Sequence, residues 1–222
     1  MKNYNRIHFD VGANEGINAI HFARFEPTTM VVAFEPTPKL VDMIRYNTSN
    51  LNNFVLEPSA VSNFNGISKF HISPESQYGD YSCSSLLEFS DKSQTEWPGR
   101  TDFQTIDEIT VQVIRLDSYI TDNQIPQIDY LKIDTQGADL QVLEGCGELL
   151  SIVNEGTMEA ATKSDILYKG QNTEEDSINF LVNNGFDIIN IESNDIHNNE
   201  VNIYFKNRNP KKLKFKSIWV FE

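Results

Sequence analysis

Asp10-Val11-Gly12-Ala13-Asn14-Glu15-Gly16 has the residue types and spacing to grip a small ligand. Gly12 permits a tight turn and, having no Cβ, lets a ligand approach the backbone. An apolar helical stretch follows, and a helix start offers free N–H groups to a carboxylate or phosphate. The second signal is Glu35, at the tip of the apolar run Met30-Val31-Val32-Ala33-Phe34 and followed by Pro36. An acid at the end of a second strand is placed to accept both hydroxyls of a ribose. Together the two signals point to an adenosyl ligand. A pyrophosphate cradle calls for three glycines, G-x-G-x-x-G, and this loop has two. Asp10 at its mouth would repel phosphate and hold an ammonium. The loop therefore favours S-adenosylmethionine over NAD.

These residues need a scaffold that brings strand tips together. Ile7 to Val11 reads as a strand, Ile17 to Phe25 as a helix stopped by Pro27, and Met30 to Phe34 as a buried strand. Pro38 opens a helix through Leu40, Val41 and Ile44, and Phe54 to Leu56 is a third strand. Such alternation predicts a parallel sheet with helices on both faces. Val61 to Ile72 reads as a hairpin turned at Asn65-Gly66. Residues 73–108 are polar with weak periodicity, as expected of a lid or binding loop. Further strands are expected at Ile109–Leu116, Tyr130–Ile133, Ile152–Ala160, Phe186–Ile191 and Glu200–Phe205. Helices are expected from Leu140 to Leu150 and from Glu174 to Asn184. No repeat or linker interrupts 1–222, so one domain is expected.

Composition narrows the partners. Eighteen basic against 32 acidic residues give a net charge of −14, which disfavours a nucleic-acid backbone. Six of the basic residues (Lys206, Arg208, Lys211, Lys212, Lys214, Lys216) lie in the 206–222 tail with one acid, Glu222. The alternation Lys212-Leu213-Lys214-Phe215-Lys216 reads as an edge strand guarded by lysines, or else as a basic arm for a membrane or an anionic substrate. No apolar run reaches the roughly 18 residues of a membrane span. The polar start and the two cysteines, Cys83 and Cys146, suggest a reduced cytoplasmic protein without a disulfide framework.

Several motifs in order resemble the FkbM-type methyltransferases. They are Phe9 to Gly16, Phe34-Glu35-Pro36, Ala60-Val61-Ser62, Ser84-Ser85-Leu86, Arg115-Leu116-Asp117, Leu131 to Gly137, Leu143-Glu144-Gly145 and Leu167 to Gln171. The resemblance spans about residues 6–206. It implies a class I Rossmann-like α/β fold, with a mostly parallel seven-stranded sheet and an antiparallel last strand. It also implies methyl transfer from S-adenosylmethionine to a hydroxyl of a sugar or small metabolite. On this resemblance Asp10, Gly12, Ala13, Asn14 and Gly16 wrap the methionine part, Glu35 and Pro36 meet the ribose, and Ser59 and Ala60 flank the adenine. Gln136 stands where many of these relatives carry Glu.

Methyl transfer asks for an aligned acceptor oxygen and a proton acceptor. Asp134, at the carboxyl end of its strand, is the first candidate base; its plainer role is to cap the helix after Gly137-Ala138. Glu159 is the second, with a buried structural pairing to Lys132 or Lys163 as its plainer role. Ser84, Ser85, Tyr168, Lys169 and Gln171 are candidate acceptor contacts, or ordinary loop and turn residues. No metal is expected. Two other classes fit part of the pattern. An NAD-linked oxidoreductase or epimerase would use Glu35 but lacks the third glycine. A non-catalytic adenosyl-binding module would keep the loop alone. A base-flipping nucleic-acid methyltransferase is disfavoured by the charge and by the lack of an Asn/Asp-Pro-Pro-Tyr/Phe motif.

Overall fold

The computed structural model describes residues 4–76, 82–194 and 196–215. The first half alternates β1 (Arg6–Val11), α1 (Ile17–Phe25), β2 (Thr29–Phe34), α2 (Pro38–Thr48) and β3 (Phe54–Glu57). Two short strands follow, β4 (Ala60–Val61) and β5 (Gly66–Ile72), then α3 (Ser93–Glu96), β6 (Asp107–Ile114) and α4 (Leu116–Asp122). The second half runs through β7 (Ile128–Ile133), α5 (Asp139–Glu144), a 3-10 turn (Gly147–Ile152), β8 (Val153–Ala161), α6 (Glu174–Asn183), β9 (Phe186–Ser193) and β10 (Glu200–Asn207).

Seven strands form one sheet in the order β3-β2-β1-β7-β8-β10-β9. The first five are parallel, and β10 runs antiparallel to both β8 and β9. This is the α/β sheet that the sequence leads one to expect. Every residue of β2 is buried, because helices cover both faces of a central parallel strand. On one face Phe9, Val11, Phe34, Leu131 and Ile133 pack with Leu116, Ile120, Leu140 and Leu143. Each such side chain contributes about 1.5–3 kcal/mol on burial. On the other face Ala19, Ala23, Ala33 and Ile44 let α1 and α2 lie close to the sheet. Local chemistry sets the ends of elements. Pro38 opens α2 at its first turn. Asn53 Nδ2 donates to the carbonyls of Ala23 and Thr29, both at 2.9 Å, closing the end of α1. Thr173 and Asp176 form a reciprocal capping box at the start of α6.

Four expectations are corrected. The hairpin at Asn65-Gly66 does not form: β6 lies between β4 and β5, parallel to the first and antiparallel to the second. Val111 and Val113 of β6 make a small apolar cluster with Ala60 and Phe70, and Asn65 Oδ1 accepts from Arg115 N at 2.7 Å. The helix expected from Leu140 to Leu150 ends at Glu144, and the 3-10 turn Gly147–Ile152 takes over. Within the expected lid or binding loop, residues 82–106 are packed. Cys83, Trp97 and Phe103 form a second core with Ile166, Leu167 and Tyr168, so this stretch is a packed cap. Residues 211–215 pair with no strand; Lys211 N and Leu213 N donate to single carbonyls of Ser151 and Pro126. The sheet edge on that side is β9. The remainder of the expected tail strand, 216–222, lies outside the described residues. Among the described residues no helix is long and apolar enough to cross a membrane.

Candidate active site

Strand order turns back at β1, whose neighbours are β2 and β7. A cleft opens at the carboxyl ends of these strands, where open α/β sheets hold their ligands. Gly12, Asn14, Glu35, Pro36, Ser59 and Ala60 line it, with Asp134 across from them. It encloses about 600 Å³ including its open mouth. Its remaining walls include Phe34, Leu40, Val61, Phe70, Leu86 and Thr135, none of them singled out from the sequence for such a role. Apolar residues at the ends of a sheet and its cap look like ordinary core until the chain is folded.

Glu35 is only 4% exposed, yet it borders the cleft. Its Oε2 accepts from Asn14 N at 2.9 Å and its Oε1 from Thr37 N at 2.8 Å. Burial pushes its carboxyl up to about 7, against the pull of those donors. The Thr37 side chain bonds the carboxyl as well, so three of its roughly four acceptor sites are taken and one is left for a ligand hydroxyl. Asn14 Oδ1, also at the cleft, is buried without a partner.

Four of the loop residues carry structural work of their own. The Cβ position of Gly12 is filled by the Asp134 carbonyl, 1.9 Å away, so its missing side chain makes room for the residue after β7, while Gly12 itself still lines the cleft. Gly16 begins α1 with φ +75, and its open side is filled by Ile44 of α2. Ala13 packs with the small-residue cluster under α1. Asp10 is buried beneath the loop, off the cleft lining, and Lys132 supplies the ammonium it holds: Nζ lies 3.2 Å from Asp10 Oδ1 and 3.3 Å from Asp134 Oδ2. Against the pull of burial, those two carboxylates keep the Lys132 ammonium above its usual range. Burial raises the Asp10 carboxyl, and Lys132 opposes the rise.

Asp134 does not cap a helix. The cap position of α5 is Ala138, with no side-chain bond, while Asp134 takes Lys132 on one oxygen and Gln136 Nε2 on the other, the latter at 2.9 Å. Glu159 pairs with neither expected lysine; Lys163 is bound to Glu96. Its oxygens accept from Gln136 Nε2 at 3.3 Å and Asn194 Nδ2 at 2.7 Å. Burial, then Asp134, Glu200 and Asp139, raise the Glu159 carboxyl well above its usual range. Asp139 is pushed up to about 7 by burial and the neighbouring Asp134. No group of three or more His, Cys, Asp or Glu side chains among the described residues is placed to hold a metal.

Of the expected acceptor contacts, only Ser84 borders the cleft; its Oγ accepts from Ser73 N at 3.0 Å. Ser85 is buried and ties the cap to the β7 loop, donating to Gln136 O at 2.6 Å. Tyr168 is fully buried, Lys169 is exposed against Glu88 at 3.1 Å, and Gln171 Oε1 accepts from Tyr168 N at 2.5 Å. These three make the turn before α6 and stand off the cleft lining.

Comparison with known proteins agrees with this geometry. The chain is 30% identical over 145 residues to the 2-O-methyltransferase NoeI of Sinorhizobium fredii (strain NBRC 101917 / NGR234), over 64% of this chain and 58% of that protein. The match thus spans little more than half the length of that curated relative. Among solved structures, fibrillarin in its complex with Nop5p aligns over 93% of this chain and 74% of its own, at 12% identity and a TM-score of 0.50. The Methanococcus jannaschii fibrillarin, a pre-rRNA processing protein, aligns over 94% and 70%, at 11% identity and 0.50. These two likenesses are of fold alone. The methyltransferase FkbM domain model matches residues 10–201, the strand tips, cap and closing strands described above, and the chain belongs to that family.

Proposed function

We propose that this chain is an S-adenosylmethionine-dependent O-methyltransferase acting on a hydroxyl of a sugar or other small metabolite. The observation that carries the reading is Glu35, a buried carboxyl at the cleft, held by Asn14 and Thr37 with acceptor capacity left for a ligand hydroxyl. Family membership supports methyl transfer, and the name of the NoeI relative supports oxygen as the acceptor atom. The residues fit the cofactor. Asn14 offers an unpartnered buried amide oxygen, Glu35 suits a ribose diol, and Ser59 and Ala60 leave a small-walled slot for a flat ring. The cofactor supplies a methyl group already activated on a sulfonium.

The chain's own residues would do the rest. Asp134, reaching the cleft between Lys132 and Gln136, takes the acceptor's proton. Phe70 and Leu86 of the cap side exclude water from the reacting end. Ser84, Ser82 and Thr135 offer hydroxyls near the acceptor side. The acidic balance of −14 favours a neutral or cationic small acceptor over a nucleic acid. Two buried, unpaired thiols suit a reducing compartment such as the cytoplasm.

The test is calorimetric titration with S-adenosylhomocysteine, on wild type and Glu35→Ala, with NAD in parallel. Micromolar binding that collapses in the variant supports the reading. A folded wild type that ignores S-adenosylhomocysteine refutes it, and a positive NAD titration would promote the oxidoreductase in its place.

A further inference from the structure

We propose that Gln136 is a positioning residue: its single amide group clamps the Asp134 and Glu159 carboxylates together and so aims Asp134 into the cleft. The clamp rests on geometry. Gln136 Nε2 lies 2.9 Å from Asp134 Oδ1 and 3.3 Å from Glu159 Oε2, and Oε1 accepts from Tyr168 Oη at 2.9 Å. With the amide turned over, its oxygen would face both acid side chains, so the orientation described is the one that gives Asp134 and Glu159 a donor. The backbone is committed too, because Gln136 holds φ 56 in the left-handed region, and Ser85 Oγ pins its carbonyl at 2.6 Å. Tyr168, fully buried, is in turn bonded to the Cys83 carbonyl of the cap at 2.9 Å. The clamp thus connects cap, β7 loop and β8.

A neutral side chain with donors suits this place in this chain. Lys132 and Asp134 face it from β7, Asp139 from α5, Glu159 from β8 and Glu200 from β10, with Asp10 beneath on β1 and the Tyr168 hydroxyl and Cys83 thiol beyond. One ammonium serves several carboxylates. The amide supplies two more donor hydrogens without adding a charge, whereas a carboxylate there would add repulsion and remove both donors. The role depends on the methyl-transfer reading only in naming Asp134 as the base.

The test follows the side-chain carboxyl 13C signal of Glu159 against pH in wild type, Gln136→Leu and Gln136→Glu. The bond from Gln136 favours the ionised Glu159 carboxylate. Its loss in Gln136→Leu should move the Glu159 titration upward by about one pH unit, and Gln136→Glu, nearly the same shape, should move it further. Rescue in Gln136→His is expected to be partial with the neutral ring, which donates one N–H, and fuller where the ring is protonated and both nitrogens donate. If both Leu and Glu variants titrate within about 0.3 unit of wild type, the clamp is refuted. S-adenosylhomocysteine calorimetry on the same samples separates the two ideas. An upward shift without any binding sinks the methyltransferase reading and leaves the clamp standing, while binding without a shift sinks the clamp alone.

Discussion

Replacing Gly12 by alanine tests whether the loop glycine serves the ligand or the sheet. An alanine at φ +80 costs about 1–2 kcal/mol in backbone conformation alone. The larger cost is contact. The new methyl would stand 1.9 Å from Asp134 O and 2.8 Å from its carbonyl carbon, both backbone atoms that no rotamer change can move. Reaching ordinary contact requires β7 or the loop to retreat by about 1.5 Å. That displacement breaks or stretches Asp134 N to Val11 O (2.9 Å), Gly12 N to Phe34 O (3.1 Å) and Ala13 N to Phe34 O (2.9 Å). At about 1 kcal/mol each, these bring the total to about 4 kcal/mol. Gly185→Ala is the control, since Gly185 has φ +90 but nothing within 4 Å of its Cβ position; it should cost about 1 kcal/mol. In thermal unfolding followed by circular dichroism, a chain of this size loses about 2–4 °C per kcal/mol, so Gly12→Ala should melt about 8–16 °C lower and Gly185→Ala about 2–4 °C lower. Equal melting of the two variants would refute the contact argument.

Three further outcomes follow from the same structure. Glu35 and Asp139 hold protons up to about 7 in the fold, against ordinary values of 4.5 and 3.8, so folding takes up protons. Their contribution to stability is full below about pH 4 and is lost as pH rises through 7; melting of the ligand-free protein should therefore fall between about pH 5 and 8, and a rising profile there would contradict it. Tyr168→Phe leaves the Cys83 carbonyl and Gln136 Oε1 without their shared donor and should cost about 1–3 kcal/mol in denaturant unfolding, with the secondary structure unchanged. Thr173→Ala removes half of the capping box of α6 and should cost about 1 kcal/mol by the same measurement.

The alternation of strands and helices, and the acids at strand tips, were legible because both are local patterns. Glu35 follows an apolar run, and Asp134 ends Tyr130-Leu131-Lys132-Ile133. What escaped was decided by partners far along the chain. Asp10 looked like a ligand residue because Lys132, which holds it, lies 122 residues away. Asn65-Gly66 has hairpin chemistry, but β6, arriving much later, inserts between the two strands it would join. Tyr168 and Gln171 carry polar groups suited to an acceptor, and only the cap's apolar cluster with Trp97 and Phe103 shows that those groups are used inward. The alternating tail satisfies a strand pattern at Lys212-Leu213-Lys214, but among the described residues no strand runs beside it to complete a ladder.

The cap has one more consequence, and it follows from where its ends are tied. The cap is bracketed by Ile72 and Asp107, and these two residues face each other across a rung of the β5–β6 ladder. The segment is thus a loop closed at its base, hung on a small sheet apart from the seven strands that carry Gly12, Glu35 and Asp134. Closing a longer loop costs only about 0.6 kcal/mol per doubling of its length. One rung therefore fixes both ends of the segment, but the cluster of Cys83, Trp97 and Phe103, with the Ser85 Oγ bond to Gln136 O, fastens it a second time. A change in its length would be felt at the β7 loop as well as at the rung.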